Sequence, residues 1–200
     1  MVEVRFHSLG GQGAVTLINM LAQAGDLVGH RVQAFPFFGA ERRGAPVRAY
    51  VRMDEKEIYL RSEISRPDYL VIMSPSLIEA GLKEGTKEDT VVLVNMTEQE
   101  GKEHLSDLPF EVNVVDATSV AIELGMEVEG MPVVNIVFLG AVSYLTELVS
   151  LEAVTEVIRE SVPPRRVEAS MEAARRGFTS VVKIKEVKAK SPKSKRSAAS

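Results

Sequence analysis

Residues 2–29 read VEVRFHSLGGQGAVTLINMLAQAGDLVG. The alternating, β-favouring VEVRF predicts a first strand that ends near Ser8. Gly10, Gly11 and Gly13 follow at once. From Ala14 onward the apolar residues Leu17, Leu21, Ala24 and Val28 recur at helical spacing, with Gly29 placed to end the helix in a left-handed turn. Glycines at such a strand-to-helix turn let the backbone approach an anion with no Cβ in the way, and the free N–H groups and pole of the helix favour negative charge. The dinucleotide fingerprint is incomplete. Its third glycine or alanine falls on Thr16, and the following strand, VQAFPFF, holds no acid for a ribose. No Lys-Ser or Lys-Thr pair follows the turn, so the P-loop of an NTPase is absent too. The glycines suit tight packing of helix on strand as well as they suit a ligand.

Working outward, VQAFPFF predicts a second strand cut short by Pro36. PVRAYVRM predicts another, with Val47, Ala49 and Val51 on one face, together a half-exposed antiparallel excursion. DYLVIM and TVVLVN are nearly continuous apolar runs, as parallel strands covered on both faces are. Between them Ser76 and Glu79 stand at capping-box spacing, which predicts a helix starting just after Pro75. EVNVVD reads as a further strand and TSVAIELG as a short helix. MPVVNIVFLGAVSYLTEL reads as a buried helix whose small residues permit close contact. SLEAVTEVIRESV and VEASMEAARRGF read as amphipathic helices, the second stopping near Gly177. Strands alternating with helices give an α/β fold: a doubly wound, mostly parallel sheet with an antiparallel excursion, in a single domain, with ligands expected beyond the carboxyl ends of the strands.

Composition narrows the function. With 200 residues and 45% hydrophobic content the chain can bury a substantial core. It has no apolar run of membrane-spanning length and no signal-like N-terminus, so a cytoplasmic location is expected. With no cysteine it supplies no disulfide, no thiolate for an iron–sulfur cluster and no Cys nucleophile. From Lys183 onward seven Lys or Arg face one Glu, while the whole chain has net charge −4, so an acidic body at 1–182 carries a basic tail at 183–200. The tail has low hydrophobicity, no aromatic residue to stack on bases and no amphipathic period. It is expected to be disordered, with neither nucleic acid nor membrane as partner.

A second constellation lies in AFPFFGAERRGAPVRAY, residues 34–50. Arg42 and Arg43, flanked by Gly39 and Gly44 and closed by Pro46, sit on a turn. Guanidinium groups bind phosphate oxygens in bidentate fashion and stay charged at any relevant pH. Surface pairing with Glu41, or contact with a partner subunit, explains them equally well. Phe35, Phe37 and Phe38 are more rings than one strand can turn inward, which points to contact with another chain. His7, His30 and His104 are scattered. Asp68, Asn95, Asp116 and Asn135 fall at element boundaries, where capping accounts for them.

On these segments the chain resembles the gamma subunit of 2-oxoacid:ferredoxin oxidoreductases, most closely the pyruvate type. GGQGAVT at 10–16, VQAFPFFGAERRGAPVRAYVR at 32–52, RSEISRPDYLVIMSPSLIE at 61–79 and NIVFLGAVSYLTELVSLEAVTEVI at 135–158 match that pattern in order. The likeness runs from about Val2 to Gly177, and FGAERRGAPV is its most specific string. Ser8 and Leu9 stand where the family usually has glycine and arginine, which removes a possible phosphate contact.

The resemblance implies a non-catalytic subunit of an enzyme that converts pyruvate and coenzyme A to acetyl-CoA and carbon dioxide while reducing ferredoxin. It places thiamine diphosphate, magnesium and the iron–sulfur clusters on alpha, beta and delta partners, and coenzyme A binding with closure over the thiamine site on this subunit. The expected contacts are the backbone of Gly10, Gly11, Gln12 and Gly13 and the charges of Arg42 and Arg43, with Ser74-Pro75-Ser76 lining the same crevice. The alternative is a scaffold or docking subunit, of a pyruvate or a branched-chain 2-oxoacid enzyme, without direct coenzyme A contacts.

Overall fold

Strand β1 (Val2–Leu9) turns Val4 and Phe6 into one hydrophobic layer and Arg5 and His7 to the opposite face. After it come α1 (Ala14–Leu27), β2 (Arg31–Phe37), β3 (Pro46–Asp54) and β4 (Tyr69–Ile72). A single 3-10 turn at Pro75–Leu77 leads into α2 (Ile78–Lys83), then β5 (Val91–Asn95), α3 (Glu98–His104), β6 (Glu111–Val115) and α4 (Ala117–Glu123). A small antiparallel pair, β7 (Glu127–Val128) and β8 (Met131–Pro132), precedes α5 (Asn135–Thr146), α6 (Leu151–Ser161), α7 (Pro164–Thr179) and β9 (Val182–Lys185). This computed structural model describes residues 1–37, 44–128 and 130–186.

The seven-stranded sheet has the order β2-β3-β1-β4-β5-β6-β9. β1, β4, β5 and β6 are parallel neighbours, and β2, β3 and β9 join by antiparallel pairing. The expected α/β class and mostly parallel sheet are therefore present. One face packs on α1 and α4–α7 around Phe6, Leu17, Val71, Leu93 and Phe138. The other packs on α2 and α3 around Leu70, Ile72, Val92 and Val94.

Several local expectations are corrected. Of the antiparallel pair, β2 is half-buried as expected, but Ala49 to Met53 of β3 are buried, because α1 packs on one face and the segment at Ser62 and Glu63 covers the other. Arg52 of β3 looks like a solvent-facing residue in the sequence, but it is 1% exposed and fully engaged, with Nε donating to Glu3 Oε1 at 2.9 Å, one terminal nitrogen to Gln33 Oε1 at 2.9 Å and the other to the Ser62 carbonyl at 2.8 Å. Pro36 does not end β2, since an edge strand has one side on which a missing N–H breaks no ladder. Ser76 and Glu79 form no capping box; Ser76 Oγ instead meets Ser74 Oγ at 2.9 Å. A capping box does form at α3, between Thr97 and Glu100.

The basic tail does not begin at Lys183. β9 pairs with β6, turning Ile184 into the core against α3, while Lys183 meets Glu111 at 3.3 Å and Lys185 donates to the Leu108 carbonyl at 2.6 Å. An edge strand tolerates lysines on its open side, which is why VKIK reads as tail by composition and folds as strand by alternation. The remainder of the predicted tail, from Val187, lies outside the described residues.

Helix α5 is apolar all round, and Asn135 through Ser143 are buried. Gly177 does not end α7, which runs on to Thr179. A Cβ on Gly140 would stand 1.9 Å from the Ala174 carbonyl oxygen, and one on Gly177 would stand 1.9 Å from that of Val137, so α5 and α7 meet backbone to backbone at these two glycines. Gly140→Ala or Gly177→Ala forces the helices apart. Each is expected to cost about 3 kcal/mol or more in urea denaturation, whereas Gly29→Ala, with φ 88° and open space around it, costs only about 1–2 kcal/mol.

Beneath β1 a buried polar knot ties the opposite layer together. The Arg5 guanidinium, 1% exposed, donates to the carbonyls of Ser65 at 2.9 Å, Gly81 at 2.8 Å and Gly85 at 2.8 Å. His7, 3% exposed, stacks over Gly81; its Nε2 has no hydrogen-bond partner and lies 3.8 Å from a Glu84 carboxylate oxygen. Burial, with the Arg5 and Arg48 cations adding to it, pulls the imidazole pKa down to about 4. An unfolded histidine titrates near 6.5, so between these values the unfolded chain binds the extra proton. The stability from a neutral His7 is complete above about pH 6.5 and falls away as the pH drops toward 4. Acid titration of unfolding free energy is expected to show a loss on the order of 3 kcal/mol in this window, and His7→Leu is expected to remove most of that slope.

Candidate functional site

The glycine turn lies where the strand order reverses: from β1 the chain goes first to β2 and β3 on one side and later to β4 on the other. In open α/β sheets that reversal leaves a crevice beyond the strand ends. Gly11 has φ 99° and Gly13 has φ 81°, left-handed values that L side chains rarely adopt. Gly13 is also sterically fixed, because a Cβ there would stand 2.6 Å from the Asn135 amide nitrogen at the start of α5. The sequence requires glycine at both positions, for conformation at one and for conformation and space at the other.

The four backbone groups assigned to a ligand from sequence divide into two kinds. Gly10 N–H donates to the Ala45 carbonyl at 2.8 Å and Gln12 N–H to the Leu9 carbonyl at 3.1 Å, so both are committed within the protein. Gly11 and Gly13 N–H have no partner among the described residues. Gln12 works through its side chain as a strut, with Oε1 accepting from Leu9 N–H at 2.8 Å and Nε2 donating to the Met73 carbonyl at 3.2 Å. It ties the end of β1 to the end of β4. Helix α1 begins directly behind the turn with no side-chain cap and no acid in its first turn, so its positive pole is uncompensated.

Arg42 and Arg43 lie outside the described residues, as does Phe38. The chain re-enters the structure at Gly44, whose N–H donates to the Gly10 carbonyl at 3.1 Å. With Gly10 N–H bound to Ala45, the glycine turn and the downstream end of the arginine segment are tied by two backbone hydrogen bonds. On its upstream side Phe35 packs against Tyr50 with ring centroids 5.0 Å apart, and Phe37 lies under the Arg48 guanidinium at 4.4 Å.

The remaining candidates are spoken for. Ser74 is buried and bonded to Ser76 at the crevice. Asp116 accepts from Ser119 N–H at 3.0 Å as the cap of α4, and Asn95 Oδ1 accepts from Ala117 N–H at 3.1 Å while its amide donates to Met73 and Thr118. His30 Nε2 meets the Leu148 carbonyl at 3.0 Å. Asp68 accepts from Glu3 N–H at 2.8 Å and pairs with Lys87. Among the described residues no cluster of three metal-ligating side chains occurs, and no helix is long and apolar enough to cross a membrane. Sequence reading missed Asn135 as a wall of the turn. Its signal is the buried polar residue opening an otherwise apolar helix.

Comparison with known proteins agrees with this architecture. A family model described as pyruvate ferredoxin/flavodoxin oxidoreductase matches residues 3–180. The chain is 45% identical over 181 residues to the pyruvate/ketoisovalerate oxidoreductases common subunit gamma of Pyrococcus abyssi, covering 89% of this chain and 96% of that one. It is 39% identical to pyruvate synthase subunit PorC of Methanocaldococcus jannaschii, covering 92% and 98%. The crystal structure of pyruvate oxidoreductase subunit PORC from Thermotoga maritima superimposes with a TM-score of 0.77 at 33% identity, covering 92% of this chain and 98% of that one. The chain therefore belongs to the pyruvate ferredoxin/flavodoxin oxidoreductase family, as a gamma subunit of a 2-oxoacid:ferredoxin oxidoreductase.

Proposed function

We propose that in the assembled oxidoreductase this subunit contributes no acid, base or nucleophile, and instead helps to hold coenzyme A and to close over the thiamine site. The observation that carries this reading is the pair of backbone bonds joining Gly10 to Gly44 and Ala45, which sets the downstream end of the Arg42-Arg43 segment against a glycine turn and an uncapped helix pole. Coenzyme A carries a pyrophosphate and a ribose phosphate. The N–H groups of Gly11 and Gly13, without a partner among the described residues, a helix N-terminus and two permanently charged guanidiniums suit several negative charges close together.

Thiamine diphosphate, magnesium and iron–sulfur clusters then belong to alpha, beta and delta partners, with ferredoxin as the electron acceptor, and this subunit works in the cytoplasm. A chain without cysteine offers no thiolate for a cluster. The Pyrococcus relative is named as common to pyruvate and ketoisovalerate enzymes. That favours a subunit which serves the shared coenzyme A step and leaves the choice of 2-oxoacid to its partners. The scaffold reading draws on the half-exposed Phe37 and the exposed Tyr59 and Leu60, which suit contact with another chain.

Steady-state kinetics of the assembled complex separate the two. Arg42→Ala combined with Arg43→Ala is expected to raise the KM for coenzyme A about tenfold or more, with the KM for pyruvate unchanged. An unaltered coenzyme A KM in a complex of normal composition would retire the binding role and leave the docking one.

A further inference from the structure

A cleft of about 390 Å³ lies among α1, the start of α5 and the junction of α6 with α7, a volume suited to a small ligand. Met20, Met126, Ile136 and Val162 form its apolar wall. Two of its polar lining residues, Asn135 and Ser170, are 4% and 3% exposed. Asn135 Oδ1 accepts from Ile136 N–H at 2.9 Å, which fixes the amide orientation and leaves Nδ2 with no partner among the described residues. Ser170 Oγ has none either. Among the described residues, the side-chain polar atoms sealed from solvent without a partner are Arg5 Nε and His7 Nε2. The Asn135 amide nitrogen and the Ser170 hydroxyl are not among those sealed atoms, and both residues line the cleft, where a ligand can meet their unused hydrogen-bonding capacity.

Arg165 and Arg166 complete the lining from the first turn of α7. That turn has no acid and no side-chain cap, so two fixed cations stand on the positive pole of a sixteen-residue helix, against the usual preference. Among the described residues neither arginine forms an ion pair with a carboxylate. Glu156 pairs with Arg159, Glu172 with Arg175 and Glu123 with Arg176, while Glu168, one turn on, pairs with neither among the described residues. An arrangement unfavourable in the empty protein becomes favourable once an anion enters.

We propose that this cleft binds an amphipathic anion: a short apolar body resting on the methionine-lined wall, carrying one carboxylate or phosphate held by Arg165 and Arg166, with the Asn135 amide and the Ser170 hydroxyl taking its remaining polar atoms. The proposal stands on these residues and does not depend on coenzyme A binding at the glycine turn.

Met20 and Met126 line the site, so methyl NMR of the full chain with labelled methionine reads occupancy directly. Hexanoate or hexyl phosphate is expected to shift both methyl signals saturably while those of Met53 and Met73, buried away from the cleft, stay in place, and the tighter of the two identifies the preferred head group. Hexanol, with the same body and no charge, is expected to bind about tenfold more weakly or worse, and Arg165→Gln with Arg166→Gln to weaken the anions about tenfold. Both arginines are exposed, and the unshifted methionine signals report that the variant is folded. No saturable shift with either anion, equal binding of hexanol, or undiminished anion binding by the double variant would overturn the proposal.

Discussion

Strand β1 is hydrogen-bonded along both edges, to β3 in antiparallel and to β4 in parallel fashion, and buried on both faces. Everything at the site follows from that confinement. Because β3 and β4 leave β1 on opposite sides, the chain reverses its winding there and the carboxyl end of β1 faces a crevice. The polar knot around Arg5 is the other half of the constraint. A buried guanidinium is tolerable only when carbonyls surround it, and its acceptors come from the segment before β4 and from the end of α2. The layer beneath the strand is thereby fixed to the strand itself, and the glycine turn is delivered by a rigid support.

Held in this way, the turn can be strained without being loose. Gly11 and Gly13 adopt left-handed backbone, Gln12 bridges β1 to β4 by its side chain, and Asn135 closes the space behind Gly13. Two N–H groups brace the turn, and two have no partner among the described residues. The division is physical: a turn in which all four pointed outward would have nothing to hold its shape, and one in which all four were satisfied internally would have nothing to offer an anion.

Much of this was legible in the sequence where one periodicity acted alone. VEVRF, DYLVIM and TVVLVN declare strands, and the 3.6-residue spacing after Ala14 declares α1 with its stop at Gly29, which has φ 88° as a left-handed turn requires. The errors arose where composition and environment pulled apart. Arg48 and Arg52 mark β3 as solvent-facing only if arginine cannot be buried, yet Arg52 finds three acceptors that lie up to 49 residues away in sequence. Gly177 looks like a helix stop, but its lack of a side chain serves contact with α5, a fact about another helix. VKIK reads as charged tail until β6 offers an edge. At the site, the glycines and arginines could be singled out by residue type, but which N–H groups stay free and that Asn135 stands against Gly13 are settled only by tertiary packing.

The arrangement also explains what kind of chemistry the turn can support. The titratable group nearest the end of β1, His7, points to the opposite face of the sheet, is held neutral above about pH 4, and has its Nε2 sealed from solvent. Asp116 and Asn95 spend their oxygens on the start of α4, and Ser74 is bonded to Ser76. Among the described residues the turn itself offers the N–H groups of Gly11 and Gly13 and the pole of α1, whose partial charges do not change with pH. Peptide N–H groups and a helix pole attract negative charge without titrating. On the function proposed above, that is what a turn holding a charged carrier requires.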